Sequence, residues 1–554
     1  MRNQPSLIKK PFARLPHRFI ALTLALLLMC WPLPGHTLAA AGDLDPTFGK
    51  DGKVTTSFGD AGQANALVIQ PDGKIVAGGA TASNFVQSFG LARYNTDGSL
   101  DTTFGDGGKV TTGFPNDVSI CHALALQPDG KIIAAGEALG DGSGSFARAF
   151  ALARYNINGS LDTTFGNNGR VTTSFPIDGL STDDRAFTVA LQSDGKIVAG
   201  GLKSYNVDID ASDFELARYN TDGSLDTTFG DGGSVLTHFF GAQNQVRGLI
   251  IQSDGKIVAI GSDSLSENQT FTSDFALARY NTDGSLDSTF GDGGLVITDF
   301  PGIDFAFAGA LQPDGKIVAA GASVDDKDVI RFALARYNTD GSLDAGFGDD
   351  GKVLTLFKGL IDTVFAVALQ QNGKIVAAGR ASGSPPTSTD FALARYNTDG
   401  SLDAGFGDGG KVLTDFFGSV DVANAVAIQP NGKIVAAGFT FRGQIAAEFA
   451  LARYDDTDFD ICIRNDGGGA LFRFNSNSGD YLFTDCTSLT LTGTGSVVRR
   501  GNLITLQHNA PDRRVLVKVD IGANKATASI QILSQGRTIT IIDRDLGNNV
   551  CDCR

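Results

Sequence analysis

Between residues 43 and 456, short apolar runs alternate with breaks rich in Gly, Asp and Asn. The first cycle reads KVTTSF (Lys53 to Phe58), ALVIQ (Ala66 to Gln70), KIVAGG (Lys74 to Gly79) and FGLARY (Phe89 to Tyr94). Such runs bounded by turn residues predict strands, and Pro71-Asp72-Gly73 between the second and third predicts a tight hairpin. In FALARY (Phe150 to Tyr155) large and small residues alternate. Phe150, Leu152 and Arg154 then point one way, and Ala151, Ala153 and Tyr155 the other.

The cycle recurs in fixed order. A DxxFG element starts at Asp45, Asp101, Asp162, Asp226, Asp287, Asp344 and Asp403, spaced by 56 to 64 residues, and an Arg-Tyr pair closes each cycle from Tyr94 to Tyr454. Four antiparallel strands per repeat, packed on both faces, predict the blades of a β-propeller. The first and last repeats carry no polar cap, so a closed ring of seven blades is expected over an open array. The expected fold is therefore all-β, with a signal peptide over 1–41, a seven-repeat propeller over 42–458 and a small β-sandwich-like domain over 459–554.

Composition sharpens this picture. The chain has 70 Gly and 61 acids, of which only Glu137, Glu215, Glu267 and Glu448 are Glu. Gly and Asp at this density mean many turns. Of the net charge of −16, the first 41 residues carry +5 and residues 459–554 carry +2, leaving −23 on the repeats. So acidic a surface repels phosphate backbones and argues against a nucleic-acid partner.

The N-terminus combines a basic stretch (Arg2, Lys9, Lys10, Arg14, Arg18), an apolar run from Phe19 to Trp31 and small residues ending at Ala39-Ala40-Ala41. These are the three parts of a secretory leader, with cleavage expected near Ala41 and no membrane-spanning stretch after it. The protein is thus expected to be secreted or on the cell surface. Lipidation at Cys30 is disfavoured by bulky Met29.

After Phe459 the repeat gives way to alternating segments such as RRVLVKVDI and RTITIID, with Cys462, Cys486, Cys551 and Cys553. An even cysteine count in an exported domain predicts two disulfides in preference to a zinc site, with three connectivities open.

The motifs DxxFGxxGxV, QPDGKIV and FALARYNxDGSLD resemble the delta-60 repeat family of large exported bacterial proteins, over residues 43–456. The resemblance implies a β-propeller-like fold in an extracellular or surface setting, and it brings no catalytic residues or substrate. The Trp-based signatures of other propeller families are missing, since Trp31 lies in the leader.

Three further features bear on chemistry. Asn95, Asp97 and Asp101 place oxygen side chains at alternate positions, as calcium loops do, but the Gly falls fourth and no bidentate Glu follows. A structural turn is the preferred reading, with no cofactor expected and calcium as the alternative. The Arg that recurs once per repeat, Arg93 to Arg453, is expected to pair with the DxxFG Asp. Finally, the connections from strand one to two and from three to four vary, whereas the others stay constant, so one face of the disc is the candidate binding face.

Its distinctive residues include Asp183, Asp184, Tyr205, Asp208, Asp210, Phe271, Asp325, Asp326, Asp328, Phe439 and Arg442. Aromatics with acids suit a carbohydrate or a cationic ligand. No HExxH or GxSxG motif occurs, and Cys121, beside His122 on a variable loop, is left over, with a buried small residue preferred over a free thiol. The expected function is a non-enzymatic binding scaffold for an extracellular glycan or protein. The alternative is a polysaccharide hydrolase or lyase using carboxylates on the variable face.

Overall fold

The computed structural model describes residues 41–456 except 85, 116–117, 140–146, 177–181, 207–208, 268–269, 358, 383–388 and 443–445, together with backbone strands between 459 and 545. The expected leader before Ala41 and all four C-terminal cysteine side chains lie outside the described residues.

The repeats build four-stranded antiparallel units. The first contains β2 (Ala61–Ile69), β3 (Ile75–Ser83), β4 (Val86–Tyr94) and β5 (Lys109–Thr112), paired in that order. Units beginning at Ser119, Asp183, Gln243, Ile303 and Asp362 repeat it, two of them being joined by a single parallel pairing, Ser212 to Gln243. The last begins at Asp421, and its fourth strand is β1 (Lys53–Thr56) from the start of the chain. Lys53 lies opposite Ala452, and Thr56 opposite Phe449.

One sequence expectation is corrected here. The KVTT segment that opens each repeat pairs not with the strands after it but with the last long strand of the repeat before it. Repeat and structural unit are therefore offset by one strand. The first strands of successive units touch one another in turn, and Asp421–Ile428 touches Ala61–Ile69.

The predicted alternation packs the units together. The Phe89 and Leu91 face meets Ala151, Ala153 and Tyr155 of the following unit in one buried cluster, and Phe150 and Leu152 meet Ala217 and Tyr219 in the next. Large side chains approach because the opposing face is mostly Ala.

The recurrent Arg pairs as expected. Its Nε lies 2.8 Å from the DxxFG carboxylate in Arg93–Asp101 and Arg154–Asp162, and 2.7 Å in Arg218–Asp226, Arg279–Asp287, Arg336–Asp344 and Arg395–Asp403. The Lys of QPDGK adds a second cation, as Lys74 does to Asp101 at 3.0 Å. Another guanidinium nitrogen of Arg93 donates to the Ile157 carbonyl in the next repeat. Each triad thus fastens one unit to its neighbour with charge-assisted bonds.

Beyond 458 the backbone forms two antiparallel sheets. Strands Phe459–Asn465, Gly468–Phe474, Asp480–Asp485 and Thr490–Thr494 make one, and five strands from Ser496–Arg500 to Arg537–Asp545 make the other.

Candidate functional site

Every first strand carries a β-bulge at the same place. The register jumps from Ala64 to Ala66 in β2, from Cys121 to Ala123, Ala186 to Thr188, Val246 to Gly248, Ala306 to Ala308, Val364 to Ala366 and Ala423 to Ala425. The glycine opposite explains why. A Cβ on Gly79 would stand 1.9 Å from the Gln63 carbonyl oxygen, and one on Gly321 1.8 Å from that of Phe305. The Gly that ends each KIVAAG-type run is the strand's concession to the bulge.

The bulge leaves one residue of each first strand out of the ladder, and these residues meet around the centre. Asn424 Nδ2 lies 3.4 Å from Asn65 Oδ1, and Asn65 donates to the Cys121 carbonyl at 2.8 Å. The His122 and Phe187 rings are 5.2 Å apart, the Arg247 guanidinium lies 3.8 Å from the Phe187 ring, and Phe307 and Phe365 are 5.4 Å apart. Asn, His, Phe and Arg thus occupy one equivalent position, so the centre is where the repeat diversifies.

One side of this centre is charged. Glu137, buried on a second strand, accepts a hydrogen bond from Arg148, and lies 3.9 Å from His122 and 3.6 Å from Arg185. Burial would raise its pKa, but His122, Arg148 and Arg185 outweigh that and hold it below the usual glutamate range. Arg185 also pairs with Asp183 at 2.9 Å. Arg247 has no such partner. Its hydrogen bonds go to the neutral Gln245 amide at 2.8 and 3.1 Å, and burial lowers its pKa to about 10. Arg380 is alike, with its Nε buried and unpartnered and its pKa lowered by burial. Among the described residues, neither has a carboxylate within 4.0 Å.

The other side is aromatic. Phe271, 38% exposed, stacks on Phe305 at 6.2 Å; Phe305 stacks on Phe307 at 6.3 Å; and Arg380 lies 5.8 Å from the Phe365 ring. This array runs inward from the variable face.

The expected site residues scatter around this centre. Tyr205 donates its hydroxyl to Asp213, whose other oxygen is 2.8 Å from His238 Nδ1. Asp325 is occupied in its own turn, accepting from the Lys327 and Val329 amides at 2.9 and 3.0 Å and pairing with Arg331 at 2.8 Å. Asp326 and Asp328 are exposed beside it. Phe439 packs on Phe441, and Arg442 lies 5.2 Å from the Phe417 ring. Asp208 and the Asp210 side chain lie outside the described residues. Asp184 is no loop residue but is fully buried against Lys203 at 3.4 Å. Cys121 sits in a strand rather than a variable loop, and burial pushes its thiol up to about 12.

Asn95, Asp97 and Asp101 do not converge. Asp97 accepts from the Ser99 amide and hydroxyl at 2.9 and 2.6 Å, Asn95 donates to Ser99 at 3.0 Å, and Asp101 is held by Arg93 and Lys74. A cleft of about 770 Å³ is lined by residues from three successive repeats, such as Phe114, Arg170 and Asp222, and by none of the bulge residues.

Acids do converge at two junctions between units. One carboxylate oxygen each of Asp274, Asp299 and Asp304 lies within 4.8 Å of the others, and Asp390, Asp415 and Asp421 repeat the arrangement. Burial raises Asp304 and Asp421 to about 6, partly offset by hydrogen bonds. The neighbouring acids Asp274 and Asp299, or Asp415 and Asp390, push in the same direction.

Six segments, residues 70–104, 127–165, 192–229, 252–290, 312–347 and 370–406, match the family described as "Domain of unknown function (DUF5122) beta-propeller". No curated protein matches the sequence. Among solved structures, a protein of unknown function from Dyadobacter fermentans is 10% identical with a TM-score of 0.39, covering 74% of this chain and 99% of its own. A catalytically inactive virginiamycin B lyase from Staphylococcus aureus, solved with quinupristin, is 10% identical with a TM-score of 0.37, covering 72% and 98%. Sqt1 from Chaetomium thermophilum, bound to the N-terminus of ribosomal protein L10, is 12% identical with a TM-score of 0.34, covering 79% and 98%. On the six matched segments, each running from a QPDGK-type turn to a DxxFG element, and on its four-stranded units, the chain is an all-β repeat protein of the β-propeller kind.

Proposed function

We propose that this is an exported, non-enzymatic binding protein, a closed seven-bladed propeller that takes an anionic glycan at its centre through the variable face. The count of seven rests on the split last unit: the run from Gln429 reaches no further DxxFG, and Asp45 at the start of the chain supplies the missing carboxylate to Arg453.

The observation that carries the ligand class is the pair of arginines without a directly paired carboxylate among the described residues, Arg247 and Arg380, in a repeat region of charge −23. A desolvated guanidinium without a directly paired carboxylate costs free energy until an anion reaches it, and at Arg247 the more distant Glu137, already engaged by Arg148 and Arg185, offsets that cost only in part. A carboxylate is the planar anion a guanidinium binds best, and the Phe305, Phe307 and Phe365 rings offer flat apolar surface for a sugar ring. A uronate-bearing polysaccharide presents both. Immobilised acidic and neutral polysaccharides test this: retention on polygalacturonate or alginate but not on neutral glucans or mannans is expected, and equal retention on all would refute it.

A second reading, a polysaccharide lyase, is favoured by His122, whose Nε2 is buried without a hydrogen-bond partner in the same charged cluster. Removing the proton α to a uronate carboxylate needs a cation on that carboxylate and a base beside it. Appearance of unsaturated uronate absorbance on incubation with the same polymers separates a lyase from a binder.

A further inference from the structure

We propose that two junctions between units are divalent-cation sites, calcium being the ion that fits best, one on Asp274, Asp299 and Asp304 and the other on Asp390, Asp415 and Asp421. These sites are distinct from the centre and from the NTDGSLD turns.

Each triad is assembled from three strands or strand ends. Asp274 and Asp390 lie on the third long strand of one unit, Asp299 and Asp415 directly follow its short outer strand, and Asp304 and Asp421 lie on the first strand of the next unit. Calcium binds oxygens at about 2.3–2.6 Å, so two ligands on one ion stand up to about 5 Å apart. The 4.8 Å spread of each triad fits within that limit.

A second observation comes from the buried corner of each triad. Asp304 and Asp421 are fully buried, and each spends Oδ2 on one backbone amide, that of Phe300 at 2.7 Å and that of Phe416 at 2.8 Å. Their Oδ1 atoms have no partner at hydrogen-bonding geometry, although the neutral Ser323 and Thr440 hydroxyls face the two carboxylates from the paired strand. Two buried carboxylate oxygens left bare beside two further carboxylates call for a cation. Among the described residues, no Lys, Arg or His comes within 4.0 Å of any of the six carboxylates. The nearby ammonium groups of Lys352 and Lys53 donate instead to the Asp299 and Asp415 carbonyls, at 2.7 and 2.9 Å. Asp415 also accepts from the Gly418 amide at 2.5 Å. Asp299 and Asp415 are exposed, which gives an ion a way in.

Other junctions act as internal controls. Asp362 occupies the same buried place, again with one oxygen on an amide, Phe357 at 2.7 Å, and the other bare. Its two companions are Arg331 and Leu356, so no triad forms. At the junction before Asn244 the companions are Asp213 and His238, paired at 2.8 Å. Three carboxylates come together only at the two junctions proposed, among the described residues.

The test is calorimetric titration of the chelator-treated mature protein with calcium chloride, and separately with magnesium chloride. Two calcium ions per chain at these sites are expected, with dissociation constants of the order of 10⁻⁴–10⁻³ M, as for extracellular modules, and weaker magnesium binding. D304N and D421N should each remove one ion, and D362N none. D299N and D415N, at exposed positions, give the same reading if a buried variant fails to fold. Two ions retained in the D299N/D415N double variant, or no calcium binding by the folded wild type, would overturn the proposal.

Discussion

Arg453 Nε lies 2.7 Å from Asp45 Oδ2, closing with residues 408 apart in sequence the ion pair that Arg93 and Asp101 make eight residues apart. Lys433 adds 2.6 Å contact to the same oxygen. Burial would raise the Asp45 pKa, but the Lys433 and Thr47 hydrogen bonds and the Arg453 charge outweigh it and hold the group at about 2.

Asp45→Asn leaves Arg453 buried without its counter-charge and loosens the strand that joins the two ends of the chain. A loss of about 3–5 kcal/mol is expected, read as a lower urea midpoint. In the wild type, the folded pKa lies below the unfolded one. The pair's stabilisation is therefore complete above about pH 4 and lost as pH falls toward about 2, which acid unfolding of wild type against D45N measures.

Asp362 has the opposite sign. Burial raises it to about 6, despite the hydrogen bond from the Phe357 amide and the Lys411 charge. The folded state holds the proton more tightly, so stability falls as pH rises from about 4 through 6. Asp362→Asn is expected to stabilise the protein by about 2 kcal/mol at pH 7.5, with the difference vanishing near pH 4, as thermal unfolding at the two pH values will show.

Gly321→Ala drives a methyl group into the Phe305 carbonyl and pushes the bulge out of register. A cost of about 1–3 kcal/mol is expected. Because the same bulge sets Phe307, polysaccharide binding should weaken in the folded variant.

Cys121 is buried, with its thiol raised to about 12. Iodoacetamide should leave it unmodified in the native protein and label it after denaturation, as peptide mapping will show.

The strands, the tight hairpins and the Arg–Asp pair were legible because each is written once per repeat in local sequence. The offset between repeat and structural unit was not, since KVTT carries no mark of which neighbour it pairs with. The centre was not legible for a different reason: His122, Glu137, Phe187, Arg247 and Arg380 vary inside strands, not in the loops where variation ordinarily marks a site. The available signal was the Gly closing each KIVAAG run, which marks a bulge and hence an unpaired residue opposite. Asp184 misled because an acid near a loop reads as exposed, while its partner Lys203 lies 19 residues on. Convergence of Asp274, Asp299 and Asp304 depends on three strands from two units, which spacing alone does not reveal.

Arg247 and Arg380 are proposed to await an anion. Calorimetric titration of wild type, Arg247→Gln and Arg380→Gln with oligogalacturonate tests it most directly, with circular dichroism confirming that the variants fold. The account predicts binding by the wild type and at least about tenfold weaker binding by each variant, the loss of one charge-assisted contact of about 1.5–3 kcal/mol. Unchanged affinity in both variants, or no binding by the wild type to any anionic glycan, would contradict it.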